Sequence, residues 1–457
     1  MTGVALSLYG WLMTLAQPFL RRKLARRARL EPAYGEHIEE RFGHYSQPVE
    51  TTSSLLWLHA VSLGETRAAA ILLAALRQQS PGVRILLTHG TATGRAEGRT
   101  LLQPGDVQVW QPWDSPAAVK RFFRHFKPRL GLLMETEVWP CTLAAARAGH
   151  IPVVLINARL SEKSLQQALR MAPLAYPAYA ALTQVFAQTD DDARRFRQLG
   201  VAPAGVFGNL KFDATPDAAQ LAQGRSWRQS LAQPVVLFAS SREGEESEFF
   251  KQIKALAPVQ RASNAIYNVA NEGLESLATS AGQALLSLPP RWLLVPRHPQ
   301  RFDEVAALAA EHGLQVSRRS SWPADGPAAS PAALAADIWL GDSLGEMALY
   351  YALGGAALLG GSFEPLGGQN LIEAAACGCP VVMGPHTFNF AEAADKAEAA
   401  GAAQRVASLA DGLQAAVSLV ANPAAHEAAA ASALAFAHRN KGATRRTLEA
   451  LAVYLGH

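Results

Sequence analysis

The chain has 457 residues, 49% hydrophobic and 18% charged with no long polar tract, a globular composition too long for one ordinary core, so two domains are expected. Its net charge of +4 is confined to one end: Arg21, Arg22, Lys23, Arg26, Arg27 and Arg29 lie in residues 1–30 without an acid, and the remaining 36 basic and 38 acidic residues leave the body near −2, which excludes a body-wide nucleic-acid surface. Three cysteines, Cys141, Cys377 and Cys379, are odd in number, and Cys-Gly-Cys lacks zinc-ligand spacing, so a reduced compartment and no structural metal are expected.

Residues 1–20 carry no charged side chain and run into RRKLARRAR. The positive block follows the apolar run and no small-residue cleavage site is evident, so this is not a signal peptide. A helix from Val4 to Leu20 would be roughly 25 Å long, slightly short of a bilayer core. It would span at the margin or lie in the interface, and the cations after it would hold the body on the cytoplasmic side and favour anionic lipid. Residues 1–30 are therefore read as a membrane anchor with a basic collar; the alternative is a buried amino-terminal helix.

From residue 55 short apolar runs alternate with helical ones: LLWLHAV, VRILLTH, RLGLLME and IPVVLINA as strands, with GETRAAAILLAALRQQ, TATGRAEGRTLL and WPCTLAAARAG between them. Nearly continuous apolar runs indicate strands buried on both faces of a parallel sheet. The alternation breaks at Gly208 to Gln220, read as a linker, and restarts with VVLFASS, RWLLVP, DIWLGD, AALLGG and PVVMG. The expected fold is α/β, two Rossmann-like doubly wound domains over 31–213 and 222–430 with a cleft between them and a closing helical segment at 431–457. Residues 257–290 have weak periodicity and read as an extra excursion.

Ligands in such sheets bind beyond the carboxyl ends of the strands. HAVSLGE puts Ser62, Gly64 and Glu65 there. Near a helix amino terminus the Glu65 carboxylate should stay ionised, as a general base requires; Ser62-x-x-Glu65 is equally a capping box. THGTATGR supplies Thr91, Thr93, Gly94 and Arg95 in a loop able to donate to hydroxyls or phosphate, or a plain loop. METEVWP puts Glu135 and Glu137 at a strand end, where alternation sends them to opposite faces. FASSREGEE offers Ser240, Ser241 and Arg242 at a strand-to-helix turn, VPRHPQRF places Arg297 and His298 directly after a strand, where the arginine suits phosphate or is a plain surface residue, and GDSLGE, with Gly345, repeats the theme of FASSREGEE. Gly360 to Pro385 carries Gly367, Gly368, Asn370 and Glu373 around a helix near Asn370 to Ala376. Its free N–H groups suit phosphate and Glu373 suits ribose hydroxyls, although Asn370-x-x-Glu373 also has capping spacing. No Walker A loop, HExxH or opening GxGxxG is present. Asp190 to Asp192 reads as a helix-start acid cluster.

Taken in order, HAVSLGE, THGTATGR, METEVWP, NARLSEKS, GNLKFD, FASSREGEE, VPRHPQRF, GDSLGEM and GGSFEPLGGQN…GPHTFNF resemble the 3-deoxy-D-manno-oct-2-ulosonic acid (Kdo) transferases, from about the first residue to about 440. The resemblance implies a GT-B fold and an inverting, metal-independent glycosyltransferase of lipopolysaccharide synthesis that needs no cofactor. CMP-Kdo would be the donor, and the lipid A precursor lipid IV-A, at the cytoplasmic side of the inner membrane, the acceptor. It makes Glu65 the general base, with Glu135 or Glu137 in support. Donor contacts would come from Ser240, Arg242, Arg297, His298, Gly345, Gly367, Gly368, Asn370 and Glu373. Ser62, Gly64, Thr91, Thr93, Gly94 and Arg95 would form the acceptor side. Arg242 and Gln369 stand where the family usually has His, and Ala158 where it usually has Ser. Two other readings remain: a non-transferring, epimerase-like nucleotide-sugar enzyme, and a membrane protein that binds lipid A or sugar without catalysis.

Overall fold

The computed structural model describes residues 2–52, 54–256 and 289–455. The excursion expected over 257–290 lies outside them, except for its last two residues. The chain divides into two compact units, Met1–Asp213 with Asn440–His457, and Ala214–Arg439.

The first unit is built on strands β1 (Leu55–His59), β2 (Arg84–His89), β3 (Val107–Trp110), β4 (Leu130–Met134), β5 (Val153–Ala158), β6 (Gln184–Ala187) and β7 (Gly205–Val206). They pair in the order β3-β2-β1-β4-β5-β6-β7, all parallel. Alternate residues of β1 enter different cores: Leu55 and Trp57 join Phe122 and Leu155 on one face, and Leu56 and Leu58 join Leu72 and Ile156 on the other. This two-sided burial is why the apolar runs are continuous rather than alternating.

The second unit holds β8 (Val235–Ser241), β9 (Arg291–Pro296), β10 (Val316–Arg318), β11 (Ile338–Leu340), β12 (Ala356–Leu359), β13 (Val381–Met383) and β14 (Ala403–Arg405). Their order is β10-β11-β9-β8-β12-β13-β14, again all parallel. Strand order reverses between β1 and β4 in one unit and between β8 and β12 in the other. Those reversals are the positions at which a doubly wound sheet opens a crevice at its carboxyl edge.

Three expectations change. The single helix expected over Val4 to Leu20 is two, Thr2–Leu15 and Gln17–Leu30, bent by 49°. Pro18 in the first turn of the second helix lacks the N–H that would continue the first, so the chain breaks there. Among the described residues no single helix is long and apolar enough to cross a membrane. The inner side of the first helix is docked: Leu6 and Tyr9 pack on the core, and Gly10 sits so close to Pro116 that a Cβ would lie 2.7 Å from its ring.

The linker read at Gly208 to Gln220 is shorter than expected. Leu210–Asp213 forms a short 3-10 turn that buries Leu210 and Phe212 in the first unit. The Asp213 carboxylate accepts from the Gly442 and Thr444 amides, holding the start of the helix Ala443–Leu455. The carboxy-terminal segment is accordingly not one closing piece. Pro423–Arg439 belongs to the second unit, and Ala443–Leu455 packs into the first through Leu448, Leu451 and Leu455.

Candidate functional site

In the first unit Ser62 caps the helix Leu63–Gln79. Its hydroxyl accepts from the Glu65 amide at 3.3 Å and donates to Glu65 Oε1 at 2.9 Å, so the Ser62 cap is real. Glu65 Oε2 accepts from the Val61 amide at 2.9 Å. A carboxylate has about four lone-pair sites, so these bonds fix the group without filling it. The loop that holds it is itself fixed, because His89 Nδ1 lies 2.9 Å from the Ala60 carbonyl and burial pushes that imidazole's pKa down to about 3.

The expectation that the helix start keeps Glu65 ionised is corrected. Its pKa is pushed up to about 7, by burial first and by the charge of Glu135 next. The Val61 and Ser62 hydrogen bonds oppose the rise, and Glu137 adds to it. A carboxyl poised near neutrality can hold or release a proton under working conditions.

Glu135 and Glu137 lie in the turn after β4, not on the strand, so strand alternation does not separate them. Glu135 has φ +56°, a left-handed conformation rare for a side chain of its size. Its Oε1 is 3.4 Å from Lys211 Nζ. Glu137 Oε2 accepts from Trp139 Nε1 at 2.8 Å and lies 3.7 Å from the Nε2 of the buried His59. Lys211 was absent from the residues singled out by motif. Its placement depends on a relay: Asn157 Oδ1 accepts from Leu210 N, Gln188 donates to the Asn157 carbonyl, and Asn209 donates to Gln188. The NARL and GNLK motifs thus meet, and that meeting was the available signal.

The expected acceptor residues divide. Thr91 caps the helix Ala92–Arg99 by accepting from Gly94 N at 3.2 Å and donates to the Val61 carbonyl at 2.9 Å. Thr93 and Gly64 are exposed beside it. A Cβ on Gly94 would lie 2.8 Å from the Val61 carbonyl oxygen, so glycine there lets this helix abut the Glu65 loop. Arg95 is turned inward, a correction: it pairs with the buried Glu40 at 2.9 Å and lies 4.7 Å over Trp110.

In the second unit three loops converge at the reversal of β8 and β12. Ser240 has φ +59°, and the β8–β9 register slips between Ala239 and Ser241. The buried Glu245 accepts from the amides of Arg242, Gly361 and Phe363, tying the loop after β8 to the one after β12. Arg297 donates its amide to Ser241. Partial burial, then Arg242 and Arg297, lowers the His298 pKa, as a local cationic field should. Arg242 also contacts Glu243 at 3.1 Å. Asn370 caps the helix Leu371–Ala376 by accepting from Ile372 N at 3.1 Å, with Glu373 in its first turn.

The glycines of this region serve the protein's own backbone first. A Cβ on Gly360 would lie 2.1 Å from the Ser240 carbonyl oxygen, and one on Gly367 2.4 Å from Asn389. Gly368 donates to the Gly361 carbonyl at 2.7 Å. Gly345 alone among the expected donor glycines meets nothing within 4 Å. The exposed ring of Phe388 flanks Gly367, a feature that spacing did not single out.

Residues 36–214 match a family model described as 3-deoxy-D-manno-octulosonic-acid transferase (kdotransferase). A 3-deoxy-D-manno-octulosonic acid transferase of Bordetella pertussis is 46% identical over 407 residues, 88% of this chain and 87% of that protein. Among solved structures, a glycosyltransferase of Rickettsia africae ESF-5 superposes with a TM-score of 0.53 at 12% identity, over 89% of this chain and 99% of that one. A UDP-GlcNAc 2-epimerase of Neisseria meningitidis bound to UDP-GlcNAc gives 0.51 at 15% identity, over 87% and 99%. These two likenesses concern fold alone: a transferase and an epimerase both carry it.

Proposed function

The chain belongs to the 3-deoxy-D-manno-octulosonic acid (Kdo) transferase family, and from that premise we propose that it transfers Kdo from CMP-Kdo to the lipid A precursor lipid IV-A, with Glu65 as general base. The acceptor hydroxyl oxygen attacks the anomeric carbon of Kdo, and Glu65 takes its proton. The bond from that carbon to the phosphate oxygen breaks, and CMP leaves with the electron pair. A single displacement of this kind inverts the anomeric configuration.

The observation that supports this reading most is the setting of Glu65, where burial first and the neighbouring Glu135 next push its pKa up to about 7 while two loop donors hold its oxygens. Lys211 beside Glu135 limits the negative charge so gathered. In the second unit we assign the leaving phosphate to Arg242, Arg297 and the Gly367–Asn370 loop, and the ribose to Glu373. Positive charge there offsets the charge that develops on CMP. Mass spectrometry of the lipid after incubation with CMP-Kdo tests the assignment; an unmodified acceptor would reject it.

The base assignment fixes a pH dependence. Glu65 must be unprotonated to accept, so kcat/KM should rise about tenfold per pH unit below pH 7 and level off above it. Glu135→Gln removes a charge that raises the Glu65 pKa. Its acid limb should move down by about one pH unit; a limb that stays in place would contradict the electrostatic account.

The membrane side of the reading rests on the two amino-terminal helices. Val4, Leu8, Trp11, Leu12, Leu15 and Phe19 form an exposed stripe opposite the docked face, with Trp11 70% exposed. Arg21 and Arg27 lie over the rings of Phe42 and Tyr34. Arg22, Lys23, Arg26 and Arg29 are exposed, with no ion pair among the described residues. We assign this pair to the plane of the interface, its stripe in the acyl boundary and its free cations on anionic head groups. Burying a side chain such as Leu or Phe is worth about 1.5–3 kcal/mol. Leu8→Glu with Trp11→Glu should therefore reduce co-sedimentation with anionic vesicles by more than ~10-fold, while turnover of a short-chain soluble acceptor is kept. Equal loss on both acceptors would count against the assignment.

A further inference from the structure

A cavity of about 290 Å³ lies away from both loop sets, on the first unit, with His44, Tyr45, Arg121, Arg124 and His125 in its wall. The helix Pro116–Phe126 supplies the last three, and Arg124 and His125 sit in its final turn, leading into the start of β4. The His125 carbonyl accepts from the Glu50 amide, just ahead of β1. The cavity is therefore near the amino ends of the strands, whereas Glu65 follows a carboxyl end.

Its ionisable groups apart from the Tyr45 phenol are all basic. No acidic residue lines it, and among the described residues neither Arg121 nor Arg124 forms an ion pair. Arg121 donates one Nη to the Phe42 carbonyl, but its Nε is buried without a partner, as is the Tyr45 hydroxyl. That Nε and that hydroxyl are closed off from the space, so the donors it offers a ligand are the other Nη of Arg121 and the exposed guanidinium of Arg124. Guanidinium forks suit phosphate geometry. A water occupies about 30 Å³ of liquid, so a phosphate group and part of its hydration fit the space.

The bland role for Arg124 and His125 is to offset the dipole at the helix carboxyl end. That dipole is equivalent to about half an elementary charge, which the Arg124 guanidinium alone exceeds, and Arg121 lies outside the final turn. Access also fits. Phe42, whose carbonyl holds Arg121, carries Arg21 of the basic collar 3.8 Å over its ring.

We propose that this cavity is a phosphate-binding site distinct from sugar transfer, taking either free phosphate or the phosphomonoester head group of a membrane lipid. The full chain in detergent is titrated calorimetrically with inorganic phosphate at fixed ionic strength. In parallel it is co-sedimented with phosphatidylcholine vesicles with and without phosphatidic acid. Arg124→Glu is the informative variant, because Arg124 is exposed and holds no other element in place; a thermal scan checks its fold, and Arg124→Gln substitutes if it fails.

Arg124→Glu should weaken phosphate binding, phosphatidic acid enrichment, or both, at least ~10-fold, about 1.4 kcal/mol. Loss in the calorimetric arm alone identifies free phosphate; loss in the vesicle arm alone identifies a lipid head group. The proposal is overturned if the variant matches the wild type in both arms, or if chloride reproduces the phosphate response. Neither arm measures transfer, so the outcome is independent of the fate of the proposed function.

Discussion

Glu65→Gln should lower kcat for sugar transfer by on the order of 10³ while CMP binding changes by less than about twofold. The substitution separates the two things this residue does. Glutamine serves a capping box as glutamate does, so the amide oxygen can still accept from Val61 or Ser62, which now hold the carboxylate. What glutamine cannot do is take a proton. A residue that only caps its helix would leave turnover nearly intact. A residue that also deprotonates the acceptor would leave a folded, nucleotide-binding, nearly inactive protein. Steady-state rates with a thermal scan distinguish these outcomes.

Asp114→Ala should destabilise the first unit by about 3–5 kcal/mol. Asp114 is 2% exposed, and its oxygens accept from Cys141 N at 2.9 Å and from Thr142 N and Oγ1 at 2.8 and 2.7 Å. The Tyr9 hydroxyl adds a further bond from the amino-terminal helix. One carboxylate thus joins the amino-terminal helix to the start of Pro140–Ala148, the helix that follows Glu135 and Glu137. Alanine leaves all these donors buried and unmatched. Asp114→Asn keeps one acceptor oxygen and should lose about 1–2 kcal/mol. Urea unfolding followed by tryptophan fluorescence reads the difference, and a loss below about 1 kcal/mol for alanine would mean that other groups hold these elements.

The central strands were legible in the sequence because each is a continuous apolar run buried on two faces: LLWLH, RLGLLM and VVLFASS were found within a residue or two of their ends. The outer strands were not. Val107–Trp110 is interrupted by Gln108 and buried only over its last two residues, and Ala403–Arg405 has no fully buried residue, so neither carries the apolar signal of a central strand. The break in the amino-terminal helix was signalled by Pro18 and was read past. The return of the chain to the first unit depends on Asp213 meeting amides more than 220 positions later, a contact that no local pattern encodes.

Spacing offered Ser62-x-x-Glu65 as either cap or base, and the alternatives proved compatible: the cap exists, and its carboxylate is part of a charged cluster. The left-handed backbones of Glu135 and Ser240 could not be read, since neither is glycine or asparagine. Both lie just beyond or at the end of a central strand, where strain in a non-glycine residue points to function. A run of glycines beside a helix start can mark room for a ligand. Gly360 and Gly384 instead admit the backbones of Ser240 and Ser362, a packing need that leaves the same mark in the sequence.

The central claim is transfer to a lipid, and the most direct test is mass spectrometry of both products formed by the purified full chain from CMP-Kdo and lipid IV-A. The account predicts lipid IV-A gaining whole Kdo units, with one CMP released for each. Consumption of the nucleotide sugar without any gain by the lipid, whether by hydrolysis or by epimerisation of the sugar, would contradict it.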